Sequence, residues 1–285
     1  MVPIGPNRGR RVSRGVAPGD AAGVLRAVLT DAYHLFRRLV DEGDVRVWQK
    51  GADDPVTHVD LQLDRYLRHR LLDAFPAHGW LSEESADDRK RLGKRSVWIV
   101  DPLDGTRQFV AGVPEYGISA ALVENGRPVV GGIMLLDSGA LYLATRGGGA
   151  WRDEVRLRVN DVEALPEARV LVSRSQASRG HFDGLDGEAL LRPLGSMALK
   201  LARVAEGYGA GTFTHEVRHE WDVAAGALLV EEAGGRVTDG RGLPLEFNTP
   251  HARFAGVVAS NGRVHAGLLT LCARGATKGP RGEGA

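Results

Sequence analysis

The feature that most constrains this chain is a short apolar run followed by two aspartates. Residues 96–100 are mostly apolar and rich in β-formers, which predicts a buried strand, and Asp101 follows immediately. Pro102 withholds a backbone N–H, and Asp104 comes three residues after Asp101. Two carboxylates at one strand-end turn repel each other unless a cation lies between them. Oxygen ligands without thiolates favour a hard ion such as Mg²⁺.

The two residues after Asp104 could bind an anion. Gly105 and Thr106 open a short predicted helix, where backbone N–H groups can bind an anion such as phosphate. The same residues also fit an ordinary Pro-Asp-Gly turn in which Asp104 caps the helix. This segment alone leaves the two interpretations open.

Three further acidic residues lie where secondary structure could bring them to the same place. Residues 79–81 form a possible strand that ends near Glu83, although an exposed acidic loop explains Glu83 more simply when it is taken alone. Asp222 begins a helix whose next residues are small and apolar. It is therefore either the N-cap of that helix or a metal ligand that the second half of the chain contributes to the site. Asp60 lies in the first turn of the helix that follows Thr57, where capping is also plausible.

The chain divides into four predicted segments. Residues 1–19 form a basic tail and residues 273–285 a second tail, both expected to be flexible. Residues 20–155 form an N-terminal α+β portion that carries most of the acidic motifs, and residues 156–272 form a C-terminal α/β portion that completes the site. Helices are predicted between residues 20 and 43, 57 and 76, 196 and 206, 221 and 233, and 264 and 272. An Asn-Gly turn at 125–126 predicts a hairpin of strands 116–123 and 128–136.

Composition argues against several classes of function. Residues 20–272 contain 30 lysines and arginines against 35 acidic residues, whereas duplex-binding proteins present a basic face. No apolar stretch reaches the length of a membrane span, and no apolar segment follows the paired arginines at 10–11. The single cysteine, Cys272, excludes an intrachain disulfide and a multi-thiolate metal site. We therefore expect a cytoplasmic protein that acts on a small molecule, without a nucleic-acid polymer or a membrane as partner.

Four sequence blocks, taken together, resemble the inositol monophosphatase superfamily. The blocks, which stand in the family's order, are Asp54-Pro55-Val56-Thr57-x-x-Asp60, Ser82-Glu83-Glu84-Ser85, Asp101-Pro102-Leu103-Asp104-Gly105-Thr106 and Trp221-Asp222-Val223-Ala224-Ala225-Gly226. The resemblance spans residues 50–239 and implies a layered αβαβα sandwich, of α+β or α/β class. It also implies a lithium-sensitive phosphomonoesterase that uses two or three Mg²⁺ ions and forms a homodimer.

The resemblance implies a role for each residue of the acidic set. The metal ligands that it implies are Glu83, Asp101, the carbonyl of Leu103, Asp104 and Asp222. Asp101 would bridge two ions, which together would activate a water and stabilise the leaving oxygen. Asp60 would orient Thr106, and Thr106 would act with Glu83 on the attacking water. Asp60, Glu83 and Thr106 are therefore the catalytic residues that the resemblance implies.

Several local features resemble the 3'(2'),5'-bisphosphate nucleotidase branch, the CysQ type. They are the run from Ser82 to Leu92, Arg107, Ser173-Arg174-Ser175, the run from Gly195 to Lys200, and Glu220. This resemblance implies hydrolysis of adenosine 3',5'-bisphosphate to AMP and phosphate. The residues expected at the substrate are Gly105, Thr106, Ser173, Arg174, Lys200, His215 and Asp222. Helix capping is an equally simple role for Ser173, and solvent exposure is an equally simple state for Arg174 and Lys200.

Two departures from the family patterns leave the substrate open. Thr214 stands where many nucleotidases have an arginine, and His215 stands where inositol monophosphatases have a sugar-binding glutamate, seven residues before Asp222. The sequence favours a nucleotidase, with an inositol-1-monophosphatase or a sugar (bis)phosphatase as the alternative. A non-catalytic binding or regulatory protein of the same fold is disfavoured because the acidic set is complete.

Overall fold

The computed structural model describes residues 18–43, 45–51, 54–185 and 187–277, which contain seven α-helices, fourteen strands and two short 3₁₀ helices. The helices are α1 (Pro18–Asp41), α2 (His58–Ala74), α3 (Thr106–Val110), α4 (Arg174–Ser178), α5 (Met197–Ala205), α6 (Glu220–Glu232) and α7 (His265–Thr277). The first nine strands are β1 (Val47–Gly51), β2 (Asp54–Thr57), β3 (Gly79–Ser82), β4 (Ser96–Asp104), β5 (Gly117–Glu124), β6 (Arg127–Leu135), β7 (Leu141–Thr145), β8 (Gly149–Arg152) and β9 (Val155–Arg156). The remaining strands are β10 (Arg169–Ser173), β11 (Leu190–Leu194), β12 (Gly211–His219), β13 (Arg236–Asp239) and β14 (Arg253–Ser260).

The larger sheet has seven strands in the order β3-β4-β5-β6-β7-β8-β9. β3 and β4 run parallel, and the other neighbours are antiparallel. Along β4, Trp98 and Val100 pack in one core with α1 and α2, whereas Val97 and Ile99 pack in a second core with α5 and α6. Successive side chains of a strand point to opposite faces, and both faces of β4 are covered, so the run is apolar almost throughout.

The second sheet has five strands in the order β11-β10-β12-β14-β13. β10 is parallel to β11 and β12, and β14 is antiparallel to β12 and β13. Leu171 of β10 packs in the core of α5 and α6, while Val170 and Val172 pack in a third core with α7. The layers are therefore α1 and α2, the larger sheet, α5 and α6, the second sheet, and α7, which confirms the predicted αβαβα sandwich. A separate hairpin of β1 and β2 precedes α2.

The helices of the middle layer pack closely because α6 carries small residues. Residues 223–227 are all buried, and all but the first are alanine or glycine. A Cβ atom at Gly226 would lie 2.5 Å from the Cβ of Leu201 on α5. A Cβ atom at Gly131 in β6 would lie 3.0 Å from the Cα of Ala225. These close approaches fix the start of α6 against the larger sheet.

The element boundaries agree with the predicted helices and hairpin, and they differ at the carboxyl-terminal end. α7 continues to Thr277, so residues 273–277, predicted as part of a flexible tail, are helical. Residues 278–285 and most of the predicted tail of residues 1–19 lie outside the described residues. α5 and α6 belong to the predicted C-terminal portion but pack on the larger sheet, so the two portions share one core. No described helix combines the length and the hydropathy needed to cross a bilayer.

Candidate active site

The ends of β3 and β4 bring two acidic residues together at one edge of the larger sheet. These strands are parallel neighbours in which Ser82 pairs with Val100, so Glu83 and Asp101 follow at the same edge. The Glu83 amide donates to the Val100 carbonyl at 3.3 Å, which continues the ladder for one more residue. Glu83 is therefore positioned by the sheet itself, and does not lie in an unattached acidic loop.

The segment that carries Glu83 is held to α2 by its two serines. The Oγ of Ser82 donates to Oδ1 of Asp64 at 2.5 Å, and the Oγ of Ser85 donates to Oδ2 of Asp64 at 2.6 Å. Sequence reasoning missed Asp64, although its position four residues after Asp60, on the same helix face, was an available signal.

Asp222 reaches the same place from the other half of the chain. One carboxylate oxygen each from Glu83, Asp101 and Asp222 lie within 4.8 Å of one another, and we call these three residues the acidic cluster. The Oδ2 atom of Asp222 also accepts the His219 amide at 3.2 Å, so Asp222 caps α6 as well. The Oγ of Ser119 on β5 donates to the Trp221 carbonyl at 3.0 Å and holds the first turn of α6 at the sheet.

The electrostatics of the acidic cluster fit a bound cation. Burial raises the pKa of Asp101 well above its usual range, and the charges of Glu83, Asp104 and Asp222 raise it further. Burial and the charge of Asp104 raise the pKa of Asp222 to about 8. Asp101 and Asp222 thus resist ionisation because they are buried next to other negative charges, and a cation between them reverses that balance. The cluster offers only oxygen ligands, which suit a hard divalent cation.

Asp104 lies beside the acidic cluster and is tied to α5. Its Oδ2 atom accepts the Ser196 hydroxyl at 2.7 Å and the Ala198 amide at 2.5 Å. The Ser196 Oγ in turn accepts the Leu199 amide at 3.0 Å, so Ser196 caps α5. Asp104 therefore stabilises the start of α5, and not the start of α3 as the turn interpretation supposed.

Asp60, Leu103 and Thr106 form a hydrogen-bonded group next to the cluster. The Thr106 Oγ lies 2.8 Å from Oδ1 of Asp60 and 2.9 Å from the carbonyl oxygen of Leu103. Asp60 is 1% exposed, and its Oδ2 atom accepts the amide and the hydroxyl of Thr57 at 2.9 and 2.5 Å. Burial raises the pKa of Asp60, which these hydrogen bonds oppose. Asp60 thus caps α2 and holds Thr106, so the two proposed roles are combined.

Lys50 on β1 pairs with the acidic segment after β3. Its Nζ atom lies 2.7 Å from Oε1 of Glu83 and 2.7 Å from Oε1 of Glu84. Burial opposes the charge of Lys50, but the two glutamates outweigh it and raise its pKa. Burial also raises the pKa of Glu84 to about 7. The β1–β2 hairpin is thereby connected to a residue of the acidic cluster.

A cavity of about 500 Å³ opens over the acidic cluster. Of the predicted metal-site and substrate residues, those that line it are Glu83, Asp101, Leu103, Asp104, Gly105, Thr106, Ser173, Lys200 and Asp222. Two predicted substrate residues, Arg174 and His215, are not among the described residues that line it. Asp60 lies behind Thr106, as its hydrogen bond requires.

Lys200 is buried at the cavity wall and is not a solvated surface charge. It is 5% exposed, and its Nζ atom donates to the Gly195 carbonyl at 3.1 Å. Burial lowers its pKa to about 8, and the charge of Arg218 contributes. Ser173 has both of the roles considered for it, because it lines the cavity while its Oγ accepts the Gln176 amide at 3.4 Å and caps α4.

Arg174 and His215 are occupied elsewhere in the fold. The Nε of Arg174 donates to Oε2 of Glu115 at 2.9 Å, and its second nitrogen pairs with the other oxygen of Glu115. His215 lies against α7, where a Cβ at Gly275 would be 2.9 Å from its Nδ1 atom, and its ring stacks on His181. Neither pairing could be read from local sequence, because both partners are distant along the chain.

Four titratable residues that sequence reasoning did not single out are among the other residues that line the cavity. They are Arg179, Glu216, Arg218 and His219. Arg218 pairs with Glu216 at 3.3 Å, and the His219 ring stacks on Trp221 with centroids 4.4 Å apart. β12 carries a register irregularity between Thr214 and Val217, which makes residue counting along this strand unreliable. For Glu216, Arg218 and His219, the available signal was their proximity to Asp222 in sequence, and for Arg179 it was the proximity to Ser173.

Comparison with known proteins gives a consistent assignment. A family model described as "Inositol monophosphatase family" matches residues 16–275. The inositol-1-monophosphatase of Rhizobium meliloti is 37% identical over 233 residues, which cover 78% of this chain and 87% of that protein. The Nus factor SuhB of Xylella fastidiosa is 37% identical over 227 residues, which cover 77% of this chain and 81% of that protein.

Solved structures agree with the sequence matches. The IMPase of Thermotoga maritima superposes with a TM-score of 0.80 at 28% identity, covering 91% of this chain and 99% of that one. The extragenic suppressor protein suhB of Bartonella henselae gives a TM-score of 0.77 at 29% identity with the same coverage. The family match spans both sheets and every residue of the acidic cluster. This chain belongs to the inositol monophosphatase family and is a metal-dependent phosphoric monoester hydrolase.

Proposed function

We propose that this enzyme hydrolyses inositol 1-phosphate with Mg²⁺ as its metal. The observation that carries the proposal is that the acidic cluster and Glu216 line the same cavity. The cluster provides ligands for cations that bind the phosphate, and Glu216 provides an acceptor for the hydroxyl groups of a polyol. Relatives named inositol-1-monophosphatase in Rhizobium meliloti and Bacillus subtilis support the same substrate.

The metal ligands in this proposal are those that the family resemblance implied. Glu83, Asp101 and the Leu103 carbonyl would hold one ion, and Asp101, Asp104 and Asp222 a second. These residues offer hard oxygen donors without thiolates, which fits Mg²⁺. When bound, such ions lower the pKa of a water molecule and neutralise charge on the phosphate.

The chain's own groups would orient the water and the phosphate. Thr106 has one hydroxyl proton and two acceptors within 2.9 Å, so its oxygen retains a lone pair that can accept from a water. Buried Asp60 fixes the position of Thr106, and Glu83 is the second acceptor proposed for that water. Gly105 and Thr106 lie at the start of α3, where the first N–H groups have no partner within the helix and can donate to phosphate.

Adenosine 3',5'-bisphosphate is a second candidate substrate. Lys200 and Arg179 line the cavity, and a second phosphate on the substrate could pair with these cations. Arg174, which the sequence offered for the same purpose, is paired with Glu115 instead. The relatives reported above carry inositol phosphatase or SuhB names, so we place inositol 1-phosphate ahead of the nucleotide.

A comparison of two substrates tests the proposal. Phosphate release in Mg²⁺ would be measured on inositol 1-phosphate and on adenosine 3',5'-bisphosphate under the same conditions. We expect a higher kcat/KM on inositol 1-phosphate, and the reverse order would decide for the nucleotide. Absence of Mg²⁺-dependent release across a broad panel of phosphomonoesters would support a binding protein instead.

The family resemblance also underlies two further parts of the proposal. We infer that the enzyme is a homodimer and that lithium inhibits it. Size-exclusion chromatography with light scattering would report the mass of the protein. A LiCl titration of phosphate release at fixed Mg²⁺ would report inhibition. A monomeric mass, or full activity at high LiCl, would contradict the corresponding part.

A further inference from the structure

Glu115 joins the two halves of the chain beside the candidate active site. It lies between α3 and β5, and its side chain is 12% exposed. Its Oε2 atom accepts the Arg174 Nε at 2.9 Å and the Gly195 amide at 2.6 Å, and its Oε1 atom accepts a second Arg174 nitrogen. Both carboxylate oxygens are therefore engaged, and both partners come from the second half of the chain.

Glu115 hydrogen-bonds to the turn of residues 195–198, and this turn hydrogen-bonds to Asp104. The Gly195 carbonyl accepts the Lys200 Nζ at 3.1 Å, so both backbone groups of Gly195 are bonded. The next residue, Ser196, has a φ of 30°, and its hydroxyl donates to Oδ2 of Asp104 at 2.7 Å. Because a serine rarely adopts a positive φ, this conformation depends on the surrounding contacts.

The backbone of Glu115 also packs next to Asp104, through a contact with Gly105. Gly105, the residue after Asp104, has a φ of 100°. A Cβ atom at Gly105 would lie 2.7 Å from the backbone carbonyl oxygen of Glu115. The backbone of Glu115 therefore packs against the residue that follows Asp104, while its side chain holds the turn that hydrogen-bonds Asp104.

We propose that Glu115 and Arg174 form a positioning pair that fixes Asp104 for metal binding. This inference rests on the proposed role of Asp104 as a metal ligand. Within the described parts of the chain, Oδ2 of Asp104 accepts two hydrogen bonds and Oδ1 accepts none, which leaves Oδ1 for a cation. Arg174 thus acts through Glu115 and the 195–198 turn, and does not contact the substrate.

The test measures metal binding in the absence of substrate. Mn²⁺ would be titrated into chelator-treated protein and the free ion followed by electron paramagnetic resonance. Residues that orient metal ligands change metal affinity by about tenfold or more when they are replaced. We therefore expect Glu115→Gln and Arg174→Met each to weaken Mn²⁺ binding by about tenfold at one site. The double variant should be little worse than either single variant, because the two residues act as one unit.

Glu231→Gln is the matched control. Glu231 pairs with Arg146 at 2.6 Å at the surface, away from the cavity-lining residues, so its loss should leave Mn²⁺ binding unchanged. Wild-type Mn²⁺ affinity in a folded Glu115→Gln variant would overturn the proposal. If Glu115→Gln fails to fold by circular dichroism, Arg174→Met decides the question, since Arg174 is 43% exposed and its replacement removes no buried side chain.

The test of the positioning pair can fail or succeed independently of the test of the proposed substrate. Failure to hydrolyse inositol 1-phosphate would refute the proposed substrate, whereas the Mn²⁺ titration needs no substrate. A loss of Mn²⁺ affinity in both variants would thus support the positioning pair even if the substrate were a nucleotide. In an active wild type, the two variants should lower kcat more at limiting Mg²⁺ than at saturating Mg²⁺, which a general loss of stability would not produce.

Discussion

The raised pKa of Asp222 predicts an unusual pH dependence of stability in the metal-free protein. The pKa of Asp222 is about 8 in the folded state, against an ordinary value of 3.8. Between these values the folded state binds one proton more than the unfolded state, so the free energy of unfolding decreases as pH rises. The slope for one proton is about 1.4 kcal/mol per pH unit. Over the two units from pH 5.5 to 7.5, the loss from this group is on the order of 2–3 kcal/mol.

The perturbation that isolates this effect is Asp222→Asn. The variant lacks the titrating group and one of the charges that raise the pKa of Asp101, so its stability relative to wild type should increase by at least about 2 kcal/mol between pH 5.5 and 7.5. Buried histidines such as His265, whose pKa burial lowers to about 4, have the opposite pH dependence. Their contribution is common to both proteins and cancels in the difference. Urea unfolding in EDTA at pH 5.5, 6.5 and 7.5 measures the difference directly.

Saturating Mg²⁺ provides the second arm of this experiment. A cation favours the ionised carboxylates, so wild type should gain stability with Mg²⁺ and lose its negative pH slope. Asp222→Asn should gain less from Mg²⁺ because one ligand is missing. A stability difference in EDTA that changes by less than about 0.5 kcal/mol per pH unit would refute the reasoning. So would wild-type stability that does not respond to Mg²⁺.

Three further predictions concern activity and packing. Asp101→Asn should lower Mg²⁺-dependent phosphate release by well over tenfold, more than about 1.4 kcal/mol of transition-state stabilisation, while circular dichroism shows a folded protein; retention of a tenth of the activity would contradict the bridging role proposed for Asp101. Arg91→Met should cost about 1–3 kcal/mol in urea unfolding, because it removes a 2% exposed arginine that donates to Asp87 at 2.8 and 3.1 Å and to the Thr249 carbonyl at 3.0 Å. Gly226→Ala should cost about 1–3 kcal/mol in the same assay, because the new Cβ would meet Leu201 at 2.5 Å, and an unchanged midpoint would show that the two helices can separate.

Local sequence was sufficient for the central strand and the residues at its end. β4 is buried on both faces, so a short apolar run identified it without knowledge of its neighbours. Asp101 lies near the end of β4 and Glu83 follows β3, and both stand at one edge of the sheet because these strands are parallel neighbours, a pairing that the local patterns did not establish. The order of the four motifs then gave the family.

The two arginines near α4 show where local sequence was insufficient. Arg174 and Arg179 stand five residues apart, and the sequence offered only Arg174 as a substrate residue. The structure shows Arg174 paired with Glu115, while Arg179 lines the cavity. Glu115 is 59 residues earlier in the chain, so only the packing of the two halves brings it to Arg174.

From the sequence, hydrophobic periodicity determined the main helices and the central strand, and motifs with fixed local spacing determined the family resemblance. That resemblance in turn implied the layered fold and the acidic residues of the site. The tertiary structure alone decided which side chains form the remaining cavity wall. Counting seven residues back from Asp222 gave His215, yet Glu216 lines the cavity and His215 lies against α7. The register irregularity in β12 between Thr214 and Val217 is the physical reason, since a one-residue shift in a strand exchanges the faces that its side chains occupy.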